Sequence, residues 1–300
     1  MSTTLTRKTA AAANSAPPRG ATPRKHPRTR TRPNWLGGLG GWLWLAVIIL
    51  PIYYVVITSV KTQAGFFTSN PLLPTTTPTF DNYLAVIDAG FFRYLANSAI
   101  VTVGAVVPAL LLSFMAAYAI VRGRGKFISL TNTIFLAGLA IPLQATIVPI
   151  YLIITRLNLY DSLLALILPS AAFALPISVL ILSNFMRDIP NELFESMRLD
   201  GASNWSILWH LVLPMTRPAV VTVGIYNALQ VWNGFLFPLI LTQSPDKRVL
   251  PLSLWAFQGE FSVNVPAILA SVVLSTLPLL VIYIFGRRQL LGGLTAGFGK

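Results

Sequence analysis

Residues 195–218 read ESMRLDGASNWSILWHLVLPMTRP, a polar stretch in a chain that is otherwise mostly apolar. Asp188, Glu192, Glu195 and Asp200, four of the nine carboxylates in the chain, lie in or just before it. Pro190 suits the first turn of a helix, and Glu192 and Glu195 complement the positive end of that helix's dipole. Leu193, Phe194 and Met197 supply an apolar side. Asp200-Gly201 then ends the helix, because glycine takes the left-handed conformation of a C-cap without strain. Ser203 or Asn204 caps a second short helix that runs through His210. Pro214 and Pro218 mark the return to apolar sequence. The loop, about 189–213, therefore reads as a helix–turn–helix tethered at both ends. A short helix with one apolar face and no neighbour of its own suits a groove in another protein.

The surrounding sequence says where this loop lies. Of 300 residues, 54% are hydrophobic and 10% charged, with a mean hydropathy of +0.68. A soluble domain carries about 25% charged residues, so the chain lacks the polar surface to live in water. Six apolar segments are long enough to cross a bilayer, near 41–60, 95–121, 128–154, 162–186, 215–243 and 266–286. The predicted fold class is all-α: a polytopic membrane protein with six transmembrane helices and a helix-turn-helix loop in the cytoplasm. Six spans put both termini on one side. That side holds eight Lys and Arg in the N-terminal tail, three at 122–126, three at 187–217 and three at the C-terminal end. The other side holds only Lys61, Arg93, Arg156, Lys247 and Arg248. Cationic loops stay inside, which predicts cytoplasmic termini. Division of the cations among four loops and tails argues against a nucleic-acid surface.

Residues 1–33 contain no acid and carry Pro17, Pro18, Pro23, Pro27 and Pro33, so a disordered basic tail is expected. A cleaved signal peptide would have a shorter apolar core, and the prolines spoil the amphipathic helix of a transit peptide. Trp35, Trp42 and Trp44 read as an interfacial belt ahead of the first span. On the outer side, Trp255, Phe257 and Phe261 suit either an interfacial anchor or contact with an external partner.

Several chemistries are excluded by what is missing. No ionisable residue falls in the core of a span, which argues against an internal proton relay. Neither Gly125-Lys126 nor Gly299-Lys300 completes a phosphate loop, since neither Lys is followed by Ser or Thr. Energy from ATP must then come through another chain. There is no cysteine, and His26 and His210 are far apart without metal-ligand spacing. With no nucleophile–base pair either, neither an enzyme nor a bound cofactor or metal is expected.

The spans do hold uncharged polar groups. In 226–238, YNALQVWNGFLFP, residues Asn227, Gln230 and Asn233 recur every third position beside Tyr226 and Trp232. Such amides face the bundle interior or a water-filled cavity. They act either as glue between helices, worth about 0.6–2 kcal/mol per contact, or as cavity lining. Gln144, between Pro142 and Pro149, is a second candidate, because interrupted helices border substrate paths in transporters.

The opening stretch resembles the EAA loop of bacterial ABC importer permeases, roughly E-A-A-x-x-D-G-A, then an apolar helix and L-P-x-x-x-P. Glu195, Asp200, Gly201, Ala202, Leu213, Pro214 and Pro218 fall on that pattern, with Ser196 and Met197 in place of the two alanines. Phe91–Ser98 (FxxYLxNS), IPLQATIVPIY, VWNGFLFPLIL and GGLTAG are similar to the carbohydrate branch of that family, on the side of the smaller maltose-type permease subunit. The resemblance covers about residues 36–300. It implies a bacterial inner-membrane importer of sugars or oligosaccharides, in which this chain pairs with a second permease subunit as a heterodimer. It also implies two copies of a cytoplasmic ATPase, which bind the ATP and Mg²⁺, and an external sugar-binding protein. On the same footing, Glu195, Asp200, Gly201 and Ala202 couple the chain to the ATPase. Asn227, Gln230, Asn233, Tyr226, Trp232 and Gln144 then border the sugar path, with amides for hydroxyls and aromatic rings for sugar faces. The rival reading is a membrane scaffold that moves nothing itself.

Overall fold

Backbone in lipid must satisfy its own hydrogen bonds, which leaves helices or closed barrels. The computed structural model, which describes residues 35–258 and 263–296, takes the helical course. The one β feature among the described residues is an isolated bridge, Gln258–Val263. The basic tail at 1–33 and Phe261 lie outside the described residues. The chain divides into two units, 1–47 and 48–300. The described part of the first is the start of α1 (Trp35–Ser59), where Trp35, Trp42 and Trp44 are exposed.

Two short helices, α2 (Gln63–Thr68) and α3 (Asp81–Asp88), precede α4 (Phe91–Arg122). Next come α5 (Lys126–Gly138), a 3₁₀ turn (Leu143–Thr146), α6 (Ile147–Arg156) and α7 (Leu163–Arg187). The polar loop folds as α8 (Asn191–Leu199) and α9 (Asn204–Ile207), followed by a π turn (Leu208–Val212) and α10 (Leu213–Trp232). Short α11 (Leu236–Leu241) and α12 (Leu250–Ser253) lead to α13 (Val265–Ala296).

Among the described residues, four helices are long and apolar enough to cross a bilayer: Gly37–Ser59, α4, α7 and Asn204–Trp232. Two of the expected spans take a different form. The third is broken, with α5 and Leu143–Arg156 bent by 100°. Pro142 sits at the break in extended conformation, which a proline's fixed φ and missing N–H favour. The fifth starts earlier and ends earlier than 215–243, running as one helix of 29 residues from Asn204 to Trp232. Pro214 and Pro218 do not interrupt it. A proline clashes with the carbonyl four residues back, and the π turn just before Pro214 widens the helix there, with Leu213 N–H bonding Leu208 O. Of the sixth expected span, 266–286, the apolar stretch among the described residues is Val265–Val281, within α13.

The long helices α4 and α7 form the centre. Along α4, Ala105, Ala109, Ser113 and Ala117 recur every fourth residue with no exposure, a small-residue seam that lets backbones approach closely. Gly104 belongs to it, since a Cβ there would lie 2.9 Å from Ile167 of α7. At the start of α4, Asn97 donates to Asp246 O and Arg248 O, both at 2.8 Å, and Ser98 Oγ accepts from Leu250 N at 2.8 Å. The 246–250 connection therefore lies at that end. Asp161 fastens the same end. Its carboxylate accepts from Gln243 N, Ser244 N and the Ser244 hydroxyl, and these bonds, the Ser244 hydroxyl first, hold its pKa below the usual carboxylate value. Lys61 is buried without an acidic neighbour in bonding range among the described residues. It donates to Asn70 O at 2.8 Å and Ser69 Oγ at 3.2 Å.

Candidate functional site

Two regions, at opposite ends of the bundle, gather the residues singled out in the sequence. The first is the polar loop. Its turn is a Schellman motif: Gly201 N–H bonds Arg198 O at 3.0 Å and Ala202 N–H bonds Met197 O at 2.9 Å. Gly201 has φ +80°, and a Cβ there would meet nothing within 4 Å. Backbone conformation, not space, reserves the position for glycine. Asp200 is the C-cap of α8. Ala202 and Met197, on either side of the turn, are both packed on one core cluster. Ser203 caps α9, its hydroxyl accepting from Ser206 N at 3.2 Å. Asn204 is the first residue inside that helix. His210 bonds back to Ser206 through Nδ1.

The apolar side of α8 differs from expectation. Phe194 is 1% exposed, buried with Phe114, Ala117, Leu182, Met186, Ile207 and Leu208. It roots the loop in the ends of α4 and α7 and is not free for a partner. The apolar residues left outward are Leu199 at 89% and Trp205 at 56% exposure, with Leu193 also exposed. Glu195, Asp200 and Gly201 are exposed beside them, and Ala202 is half-buried. A solvent-facing patch thus combines two carboxylates with Leu199 and Trp205.

The second region is a cavity of about 360 Å³ at the far end of α10. Tyr226, Asn227, Gln230 and Trp232 line it together with Ser98 of α4, Ser170 and Phe173 of α7, and Phe235 and Phe237. The three-residue spacing makes Asn227, Gln230 and Asn233 one face, but the structure gives them different roles. Asn227 is buried and its Nδ2 donates to Ser178 Oγ of α7 at 2.7 Å, so it ties two helices while touching the cavity. Gln230 is exposed to the cavity and bonds Tyr226 OH at 3.2 Å. Asn233 lies one residue beyond α10, and its Nδ2 donates to Leu229 O at 2.8 Å. It lines a neighbouring cavity of about 370 Å³, which shares Trp232 and Phe235 as a wall. Gln144 is exposed in the 3₁₀ turn and lines neither cavity; the adjacent Leu143 lines the first. Periodicity could not reveal Ser98, Ser170 or Phe173, which belong to other helices. Among the described residues, nothing in the lining is ionisable except the tyrosine, so the cavity offers hydroxyls, amides and ring faces.

Residues 89–290 match the family described as the binding-protein-dependent transport system inner membrane component. A putative ABC transporter permease protein of Caldicellulosiruptor sp. is 41% identical over 258 residues, which cover 86% of this chain and 94% of that one. The diacetylchitobiose uptake system permease protein NgcG of Streptomyces coelicolor is 33% identical over 258 residues, covering 85% of each. Among solved structures, a bacterial ABC transporter involved in the import of the acidic polysaccharide alginate has a similar fold. The TM-score is 0.74 at 22% identity, over 85% of this chain and 95% of that chain.

Proposed function

Since the chain belongs to the family of inner-membrane components of binding-protein-dependent transport systems, a permease subunit of an ABC importer, we propose that its cargo is a sugar or short oligosaccharide. ATP hydrolysis resides in a separate subunit, and an external binding protein supplies the solute. The observation that carries the choice of cargo is the cavity lining. Tyr226, Asn227, Gln230, Ser98 and Ser170 stand beside Phe173, Trp232 and Phe235. Sugars present hydroxyls and apolar ring faces, and a site for them needs uncharged polar groups next to aromatics. The uptake of diacetylchitobiose named for one relative and of sulfoquinovosyl glycerol named for another, 32% identical over 250 residues, supports the same class.

In this reading the patch of Glu195, Asp200, Leu199 and Trp205 docks on the cytoplasmic ATPase, with Gly201 and Ala202 setting the shape of the turn. Two ATPase copies, carrying ATP and Mg²⁺, close on each other and draw loop 189–213 with them. A second permease subunit completes the path as the other half of a heterodimer. Its surface on this chain is drawn from helices with outward apolar residues, such as α5 with Phe127, Leu130 and Ile134. Both termini then lie in the cytoplasm, where the Lys and Arg bias puts them.

The test is uptake by a purified complex reconstituted in vesicles, with and without this chain, using radiolabelled disaccharides and their loaded binding protein. ATP-dependent accumulation that requires the chain is expected. A complex that transports equally without it makes the chain a scaffold.

A further inference from the structure

Arg122, the last residue of α4, lies outside every motif noted in the sequence. Its guanidinium carbon sits 4.0 Å from the centroid of the Phe194 ring, and its Nη1 donates to Asn191 Oδ1 at 2.7 Å. Asn191 and Phe194 are three residues apart on α8 and so share one face of that helix. One planar cation therefore holds both the first turn and the middle of α8 against the end of α4. Arginine suits this task because its rigid fork stacks on a ring and donates in the same plane. The position also places a positive charge at the negative end of α4. Nε is buried and makes no hydrogen bond to the protein, so the stack and the Asn191 bond fix the side chain.

At its other end α4 contributes Ser98 and Val101 to the cavity. From Ser98 to Arg122 the helix is about 36 Å long. Between those ends the small-residue seam holds α4 against α7.

We propose that Arg122 is a positioning residue that clasps α8 to α4, so that the loop and α4 move as one body and displacement of the loop reaches the cavity along α4. The proposal rests on the transport reading for its functional arm, while the clasp itself is measured independently of any solute.

The experiment uses the full importer complex, purified with its ATPase. The chain contains no cysteine, so single cysteines at exposed Ser196 on α8 and Val103 on α4 carry spin labels for distance measurement. In the parent the α8–α4 distance is narrow and unchanged between resting and ATP-bound complexes. In Arg122→Ala it broadens, co-purified ATPase stays stoichiometric, and sugar taken up per ATP hydrolysed falls by roughly three- to thirtyfold. Arg122→Lys keeps the charge without the planar stack and stays closer to Arg122→Ala than to the parent.

Three results overturn the proposal. They are an unchanged distance distribution in Arg122→Ala, a changed distribution with full uptake per ATP, or loss of ATPase in step with loss of uptake. A parent complex that moves no sugar removes the transport reading, and the distance distributions still decide the clasp.

Discussion

Gly201 shows how one residue can be fixed by conformation alone. Its φ of +80° and the open space where a Cβ would stand separate two causes that usually act together. Side-chain size at Gly201 should then matter less than tolerance of the left-handed region. Gly201→Asn is expected to be the mildest change, since asparagine adopts that region with least strain after glycine. Gly201→Ala should cost about 1–2 kcal/mol at the turn, and a β-branched Gly201→Val more. Gly201→Pro fixes φ near −65° and removes the N–H that bonds Arg198 O; it should abolish ATP-driven uptake. Quantitative immunoblots of membranes beside uptake assays check the series, with insertion expected to stay level throughout. An ordering by side-chain volume instead would mean that the partner's surface, and not the backbone, selects glycine there.

At the scale of the helix, α10 separates two amides that the sequence placed together. Asn227 is spent on Ser178, and Gln230 faces the cavity through Tyr226. Asn227→Ala should therefore lower the thermal midpoint of the purified complex and loosen assembly, removing about 0.6–2 kcal/mol of helix–helix bonding. Gln230→Ala should leave that midpoint unchanged and reduce uptake several-fold. Both variants measured in one preparation, by light-scattering melts and vesicle uptake, check the division of labour. Reversed outcomes would make Gln230 the packing residue. The sequence could not show this division because three-residue spacing fixes only angle on a helix. Which neighbour each angle meets depends on α7, and Asn233 falls past the end of the helix altogether. The same limit applies to the prolines. Pro142 breaks its span, whereas Pro214 and Pro218 ride inside a continuous helix, and for Pro214 the π turn just before it relieves the clash. The stop at Asp200-Gly201 was legible, since glycine announces the left-handed position of a C-cap.

The bundle formed within residues 48–300 has two ends, and hydrogen bonds between distant parts of the chain sort the loops between them. Asn97 binds the 246–248 backbone at the start of α4, and Arg122 binds Asn191 at its finish. Asp246 and Asn204 therefore belong to opposite ends of a helix about 48 Å long. Reporter tags at Gly123, Asn204 and the two termini are expected in the cytoplasm, and tags at Thr76 and Asp246 outside. A reporter at Asn204 on the outer side would separate the loop from ATP and end the coupling mechanism. This orientation is an expectation from the Lys and Arg content of the loops alone. The burial of Phe194 was not readable, because an apolar residue on a short helix looks the same whether it meets its own chain or another.

The continuous helix from Asn204 to Trp232 carries a mechanical consequence. Its 29 residues span about 43 Å, at roughly 1.5 Å per residue. It begins just after the Gly201 turn and ends in the wall shared by the two cavities. For a rigid arm of that length pivoting at the loop, each degree of tilt displaces Trp232 by roughly 0.75 Å. A tilt of about five degrees carries the cavity wall by more than the diameter of an atom while every hydrogen bond inside the arm stays intact. A gate that moves this far needs no refolding, only a small rotation delivered at the right end.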